Sequence, residues 1–176
     1  MNNSLVKRSL VVLGLGLLSF VSGCATTAPE KPIGDSTAPA AAKFAIYAMV
    51  ANNAYKDSSR KHFELPDNWK RTKQVNDEQS GLQFDTYEVS EGGSGKNLIV
   101  AFRGTDSEDD NSATSKKQYE LVDKLMPDII KNNPNAKIIA VGHSLGGGLA
   151  LHTSLVFENI DAYAFNSSPR VYNYWC

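Results

Sequence analysis

Cysteine is scarce: the 176 residues carry two, Cys24 and Cys176. That excludes a small fold stapled by several disulfides. Histidine is scarce as well. His62, His143 and His152 are the three present, and none stands at a spacing that ligates zinc. Charge of one sign is missing: 18 basic side chains meet 19 acidic ones for a formal net charge of −1. No basic field for nucleic acid exists. The apolar stretch Ser9–Phe20 falls short of the ~20 residues that span a membrane. Internal repeats are lacking, and Gly92-Gly93-Ser94-Gly95 is no phosphate loop. Ser90 stands where its first glycine belongs, and Asn97 follows the lysine in place of Ser or Thr. Nothing here calls for a metal or cofactor.

What is present is a strand that runs into a serine. Ile138, Ile139, Ala140 and Val141 form a continuous apolar run, as in a parallel strand buried on both faces. Gly142-His143-Ser144-Leu145-Gly146 follows at once, then the small-residue, helix-compatible Gly147-Gly148-Leu149-Ala150-Leu151. This is G-x-S-x-G in its strand–turn–helix context, which reads as a nucleophile elbow; a structural Gly-rich turn is the alternative. The elbow needs small residues two positions either side of the serine, because strand and helix pass closely there. The helix start turns free N–H groups toward developing negative charge.

A second buried-strand run, Asn97–Phe102, ends in Arg103-Gly104-Thr105. A third segment reads Ala164-Phe165-Asn166-Ser167-Ser168-Pro169-Arg170-Val171. The three in order, Phe102-Arg103-Gly104-Thr105, Gly142-His143-Ser144-Leu145-Gly146-Gly147 and this last, resemble the class 3 (fungal-type) lipase family over about residues 40–176. The resemblance implies a partial α/β-hydrolase fold: a mostly parallel sheet with flanking helices. It implies a lipid or ester substrate, Ser144 as nucleophile, and an oxyanion hole built by Thr105 (backbone N–H and hydroxyl) and the Leu145 backbone N–H. Arg103 reads as a structural ion-pair residue and His143 as packing.

The acid and base of a triad are not found. After Ser144 the only histidine is His152 and the only carboxylates are Glu158 and Asp161. His152 lies eight residues along the helix that starts at the elbow, ~12 Å from the serine at 1.5 Å per residue. Asp161 opens the next strand and so sits at the wrong end of the sheet. His62 precedes every motif, and using it would require a permuted triad. In the family resembled, both residues follow the strand after the elbow. The chain is therefore expected to be the front part of such an enzyme, with its C-terminal strands and helices missing. A non-catalytic or degenerate form of the scaffold stands beside the hydrolase reading.

The N-terminus reads as an address. Lys7 and Arg8 precede the apolar stretch, which closes on Val21-Ser22-Gly23-Cys24. This resembles the bacterial lipobox, in which the cysteine becomes the lipid-carrying first residue; an ordinary signal peptide cut near Ala25 is the alternative. Residues 1–23 are then a signal peptide, 24–39 a tether rich in Thr, Ala, Pro and Gly, and 40–176 the domain. Cleavage removes two cations and no acid, taking the net charge from −1 to −3. Alanine at position 25 fits sorting to the outer membrane of the cell envelope. With Cys24 acylated, no internal disulfide remains for Cys176.

Periodicity places the rest. Helices are expected over Pro39–Tyr55 (Phe44, Ala48, Ala51 and Tyr55 on one face), Lys116–Asn132 and Leu145–Phe157. Pro127 should kink or split the second. Strands are expected over Trp69–Val75, Leu82–Ser90, Asn97–Phe102, Lys137–Val141 and Ile160–Phe165. Asp106–Lys116 is polar and lacks the aromatics of an interfacial lid.

Overall fold

Continuous apolar runs can be satisfied only by covering both faces of a sheet, and a computed structural model of the chain shows how this is done. It describes residues 38–55, 61–90, 95–105 and 112–168. All lie in the compact unit Asp35–Cys176. The address segment, the polar stretch 106–111 and Cys176 lie outside the described residues.

Eight elements follow in the order α1 (Ala38–Asn53), β1 (Trp69–Asn76), β2 (Gln83–Ser90), β3 (Lys96–Phe102), α2 (Ser112–Asn132), β4 (Ala136–His143), α3 (Leu145–Val156) and β5 (Ile160–Phe165). The strands form one sheet in that same sequence order. β1–β2 and β2–β3 pair antiparallel, whereas β3–β4 and β4–β5 pair parallel. Four strands therefore point one way and β2 alone runs against them. The α2 and α3 crossovers carry the chain between the parallel strands.

The pleat sorts side chains into two cores. On one face Leu98, Val100 and Phe102 of β3 and Ile138 and Ala140 of β4 meet Tyr119, Val122 and Met126 of α2 and Leu149 and Ala150 of α3. On the other, Ile99, Ala101, Ile139 and Val141 meet Val50 of α1 and Ala54 just past its end. Two helices thus cover one face and one the other. All carboxyl ends of the parallel strands, Phe102, His143 and Phe165, come out along one edge, where open α/β sheets place their sites.

Two local expectations change. The expected face of α1 holds in part: Ala51 and, just past the helix end, Tyr55 are buried and Phe44 packs on Tyr163, but Val50 and Ala54 are buried beside them. The helix sequence Phe44-Ala-Ile-Tyr-Ala-Met-Val-Ala51 is apolar nearly all round, so burial spreads beyond the one stripe. α2 runs as one helix through Pro127 and begins four residues earlier than expected. Pro127 is exposed, so its ring meets water rather than the sheet.

Candidate active site

Ser144 sits between the last residue of β4 and the first of α3. Its backbone holds φ 55° and ψ −124°, a conformation that a side chain disfavours and that persists only when the surroundings enforce it. Three hydrogen bonds do so. The Ser144 N–H donates to the Phe165 carbonyl at 3.1 Å, and the Ser144 carbonyl accepts from Gly148 N–H at 3.2 Å and Ser168 N–H at 3.0 Å. The hydroxyl makes no capping bond to its own helix and the residue is half-buried.

Glycine is required on both sides of the bend. A Cβ on Gly142 would strike the Gly146 carbonyl group, and one on Gly146 would strike the Phe102 carbonyl oxygen. The elbow is therefore pressed against the end of β3. The next contact extends that edge: a Cβ on Gly104 would lie 2.6 Å from the His143 carbonyl oxygen and would strike the Tyr55 hydroxyl. Thr105, half-exposed, is one residue beyond Gly104, so the β3 end and the elbow meet at one place. Leu145 is buried as the first residue of α3, and helix geometry leaves its N–H without an intrahelical acceptor. The first turn, Leu145-Gly146-Gly147-Gly148, carries no acidic residue. Its N–H groups face the edge with the positive end of the helix dipole.

The three histidines are used differently. His143 projects from β4 toward α1, where Tyr55 Oη lies 3.0 Å from its Nδ1 and donates to its carbonyl oxygen at 3.3 Å. Tyr55 is itself buried (1% exposed). His152 is buried inside the α2–α3 contact, with Nε2 2.7 Å from Asp123 Oδ1 and its ring edge-on to Tyr119. His62 is exposed in the segment between α1 and β1. Asp161 is exposed and bonds Lys137 at 2.7 Å, which raises the Lys137 pKa. Arg103 is half-buried, and its backbone N–H donates to the Gln83 carbonyl at 2.9 Å. Among the described residues no cluster of three His, Cys, Asp or Glu could hold a metal ion.

The Tyr55–His143 and Asp123–His152 pairs were invisible to motif reading. They join residues 88 and 29 positions apart, and only the fold brings them together. Tyr55 and His143, with Ala48, Ala51, Asn52 and Phe165, also line a cavity of about 180 Å³ beside the elbow.

A mixed sheet with helices on both faces and a serine on a strained strand-to-helix bend defines a lipase-like α/β-hydrolase. The profile of the Tle-like phospholipase domain matches residues 40–169, and the chain belongs to that family. Solved structures of lipases share the fold. One is a triacylglycerol lipase described as having a serine-protease triad at its catalytic centre (TM-score 0.55, 20% identity, 73% of this chain and 62% of that one). Others are the lipase of Rhizopus microsporus var. chinensis (0.52, 20%, 74% and 58%) and the Lip2 lipase of Yarrowia lipolytica (0.51, 17%, 73% and 60%). The chain spans about three fifths of the length of these lipases. No curated protein matches it.

Proposed function

We propose that the chain is a serine hydrolase of lipid carboxylic esters, of the lipase and phospholipase type. The Ser144 oxygen attacks the ester carbonyl, the alcohol leaves with a proton, and water releases the acid from the acyl-enzyme. The Leu145 N–H and the Thr105 N–H and hydroxyl hold the oxyanion. Each such donor is typically worth ~10²–10³ in turnover. The observation that carries this reading is the strained, non-capping Ser144 at the start of α3, pressed against the end of β3. Family membership supports the substrate class. We further propose lipid anchoring through Cys24 at the bacterial envelope, on the outer membrane. More than one acyl chain makes such anchoring stable.

One observation favours a second reading, a scaffold kept for binding. Two of the described histidines have partners other than Ser144, His143 bonding Tyr55 and His152 bonding Asp123. Turnover of p-nitrophenyl esters and of phosphatidylcholine by the full chain separates the two. The hydrolase reading expects turnover that Ser144→Ala abolishes. A cooperatively folded chain that binds phosphatidylcholine vesicles without turning them over supports the binding scaffold instead.

A further inference from the structure

Tyr55 is buried beside the elbow, yet no step of the proposed reaction uses its hydroxyl. The turn that closes α1 fixes its backbone. The Ala54 N–H donates to the Val50 carbonyl and the Tyr55 N–H to the Asn52 carbonyl, both at 3.1 Å. The side chain then crosses to the ends of β3 and β4. Its hydroxyl lies 3.0 Å from His143 Nδ1 and donates to the His143 carbonyl at 3.3 Å. A hydroxyl has one proton to give and lone pairs with which to accept. It can therefore donate to the carbonyl and accept from Nδ1–H at once, which sets His143 in the Nδ1–H tautomer.

The same hydroxyl meets the β3 side. A Cβ on Gly104 would strike it and would lie 2.6 Å from the His143 carbonyl oxygen. Gly104 thus lies flat against the point where Tyr55 bonds His143. β3 and β4 pair as far as Phe102 and Gly142, so beyond that rung the spacing of the two chain ends depends on what packs between them. Thr105 follows Gly104 on one end, and Ser144 and Leu145 follow His143 on the other. The two proposed oxyanion donors therefore stand on the two ends that the Tyr55 hydroxyl touches.

We propose that Tyr55 is a positioning residue for the oxyanion hole: its hydroxyl, wedged between His143 and Gly104, sets the separation of the Thr105 and Leu145 donors. The inference rests on the hydrolase reading above. Tyr55 acts through its two neighbours and not on the ester. Both donors must meet one oxygen together, and a misplacement of about 1 Å can cost ~10²-fold in rate. A phenylalanine ring would fill the same space but would lose both bonds and let the two ends drift.

The test uses the full chain, Tyr55→Phe, and p-nitrophenyl acetate. Tyr55→Phe should lower kcat by about ten- to a hundredfold and leave KM within about twofold, the pattern of a lost transition-state interaction. Gly104→Ala is the second variant and disturbs the same contact from the β3 side. Asp123→Ala, which loosens the α2–α3 contact away from the elbow, is the control for stability. NMR of the ¹⁵N-labelled chain should show the His143 Nδ1 signal and the Thr105 and Leu145 amide signals moving in Tyr55→Phe and holding in Asp123→Ala. A folded Tyr55→Phe that keeps the wild-type kcat, or leaves the Thr105 and Leu145 amides unmoved, overturns the positioning role and leaves the hydrolase reading standing. The same holds if Asp123→Ala, at an equal loss of melting temperature, loses as much kcat. No wild-type turnover, or turnover undiminished in Ser144→Ala, overturns both.

Discussion

Gly146 decides how closely α3 approaches β3, and so whether Ser144 can hold its strained bend. A methyl group there meets the Phe102 carbonyl and the Arg103 backbone carbonyl carbon, neither of which can swing aside like a side chain. Gly146→Ala should destabilise the fold by about 1–3 kcal/mol, the usual range for overpacking. It should also slow the reaction of Ser144 more than that loss explains, because the elbow must shift away from the β3 end. Urea midpoints and serine-labelling rates of the same variant check this; an unaltered midpoint would contradict the packing described. At this scale the sequence was most informative. Ser144, Leu145 and the two glycines could be read because the chemistry of the bend is confined to five consecutive residues. Thr105 could be placed only through resemblance. Tyr55 was placed on its helix face, and it is buried, but its bond to His143 could not be read, since that partner is distant in the chain and nothing in a lone tyrosine near a helix end announces a hydrogen bond across the sheet.

α3 is held from below as well as at the elbow. His152, two turns along it, is 2% exposed and bonds Asp123 of α2, while Tyr119 packs edge-on to the imidazole. The pair ties the two helices that cover one face of the sheet. Asp123→Ala should lower stability by about 1–3 kcal/mol, since a buried polar group loses a partner. Asp123→Asn, which keeps an acceptor oxygen, should recover much of it. Reactivity of Ser144 should stay near wild type in both, and thermal melts with parallel labelling assays read the two effects apart. A large loss of labelling in a stably folded Asp123→Asn would mean that the pair acts on the site. Most strands and helices were readable because the buried β3 and β4 are apolar on both faces, unlike half-buried ones. The burial of α1 was legible only in part: Ala51 fell on the expected face, but an all-round apolar helix buries Val50 beside it. The antiparallel direction of β2 against β3 was not expected, and the connection 91–94 between them lies outside the described residues.

Across the whole molecule, the two cores hold tyrosines whose ionisation the fold resists. Burial pushes the Tyr87 hydroxyl up to about 12, aided by the negative charge of Asp85. Burial alone pushes Tyr119 to about 12. Below pH 10 both folded and unfolded chains keep these protons, so neither tyrosine makes stability depend on pH. Between pH 10 and 12 the unfolded chain ionises first, and folding loses roughly 2–3 kcal/mol per tyrosine. Urea unfolding at pH 9, 10, 11 and 12 should show this fall, and Tyr119→Phe should flatten about half of it; a stability curve level to pH 12 would contradict the burial of both groups. The anchoring proposal also belongs here. If Cys24 carries the proposed anchor, the full chain should take up radioactive palmitate and Cys24→Ala should take up none; label retained in Cys24→Ala would overturn it.

The central claim is that Ser144 stands on a bend with amide donors ready for an oxyanion, and its most direct measurement is covalent. A fluorophosphonate probe mimics the tetrahedral species that such a site holds. Incubated with the full chain and followed by peptide mass spectrometry, it should modify Ser144, and Ser144→Ala should take up none. Label found on another residue, or uptake unchanged in Ser144→Ala, would contradict the account.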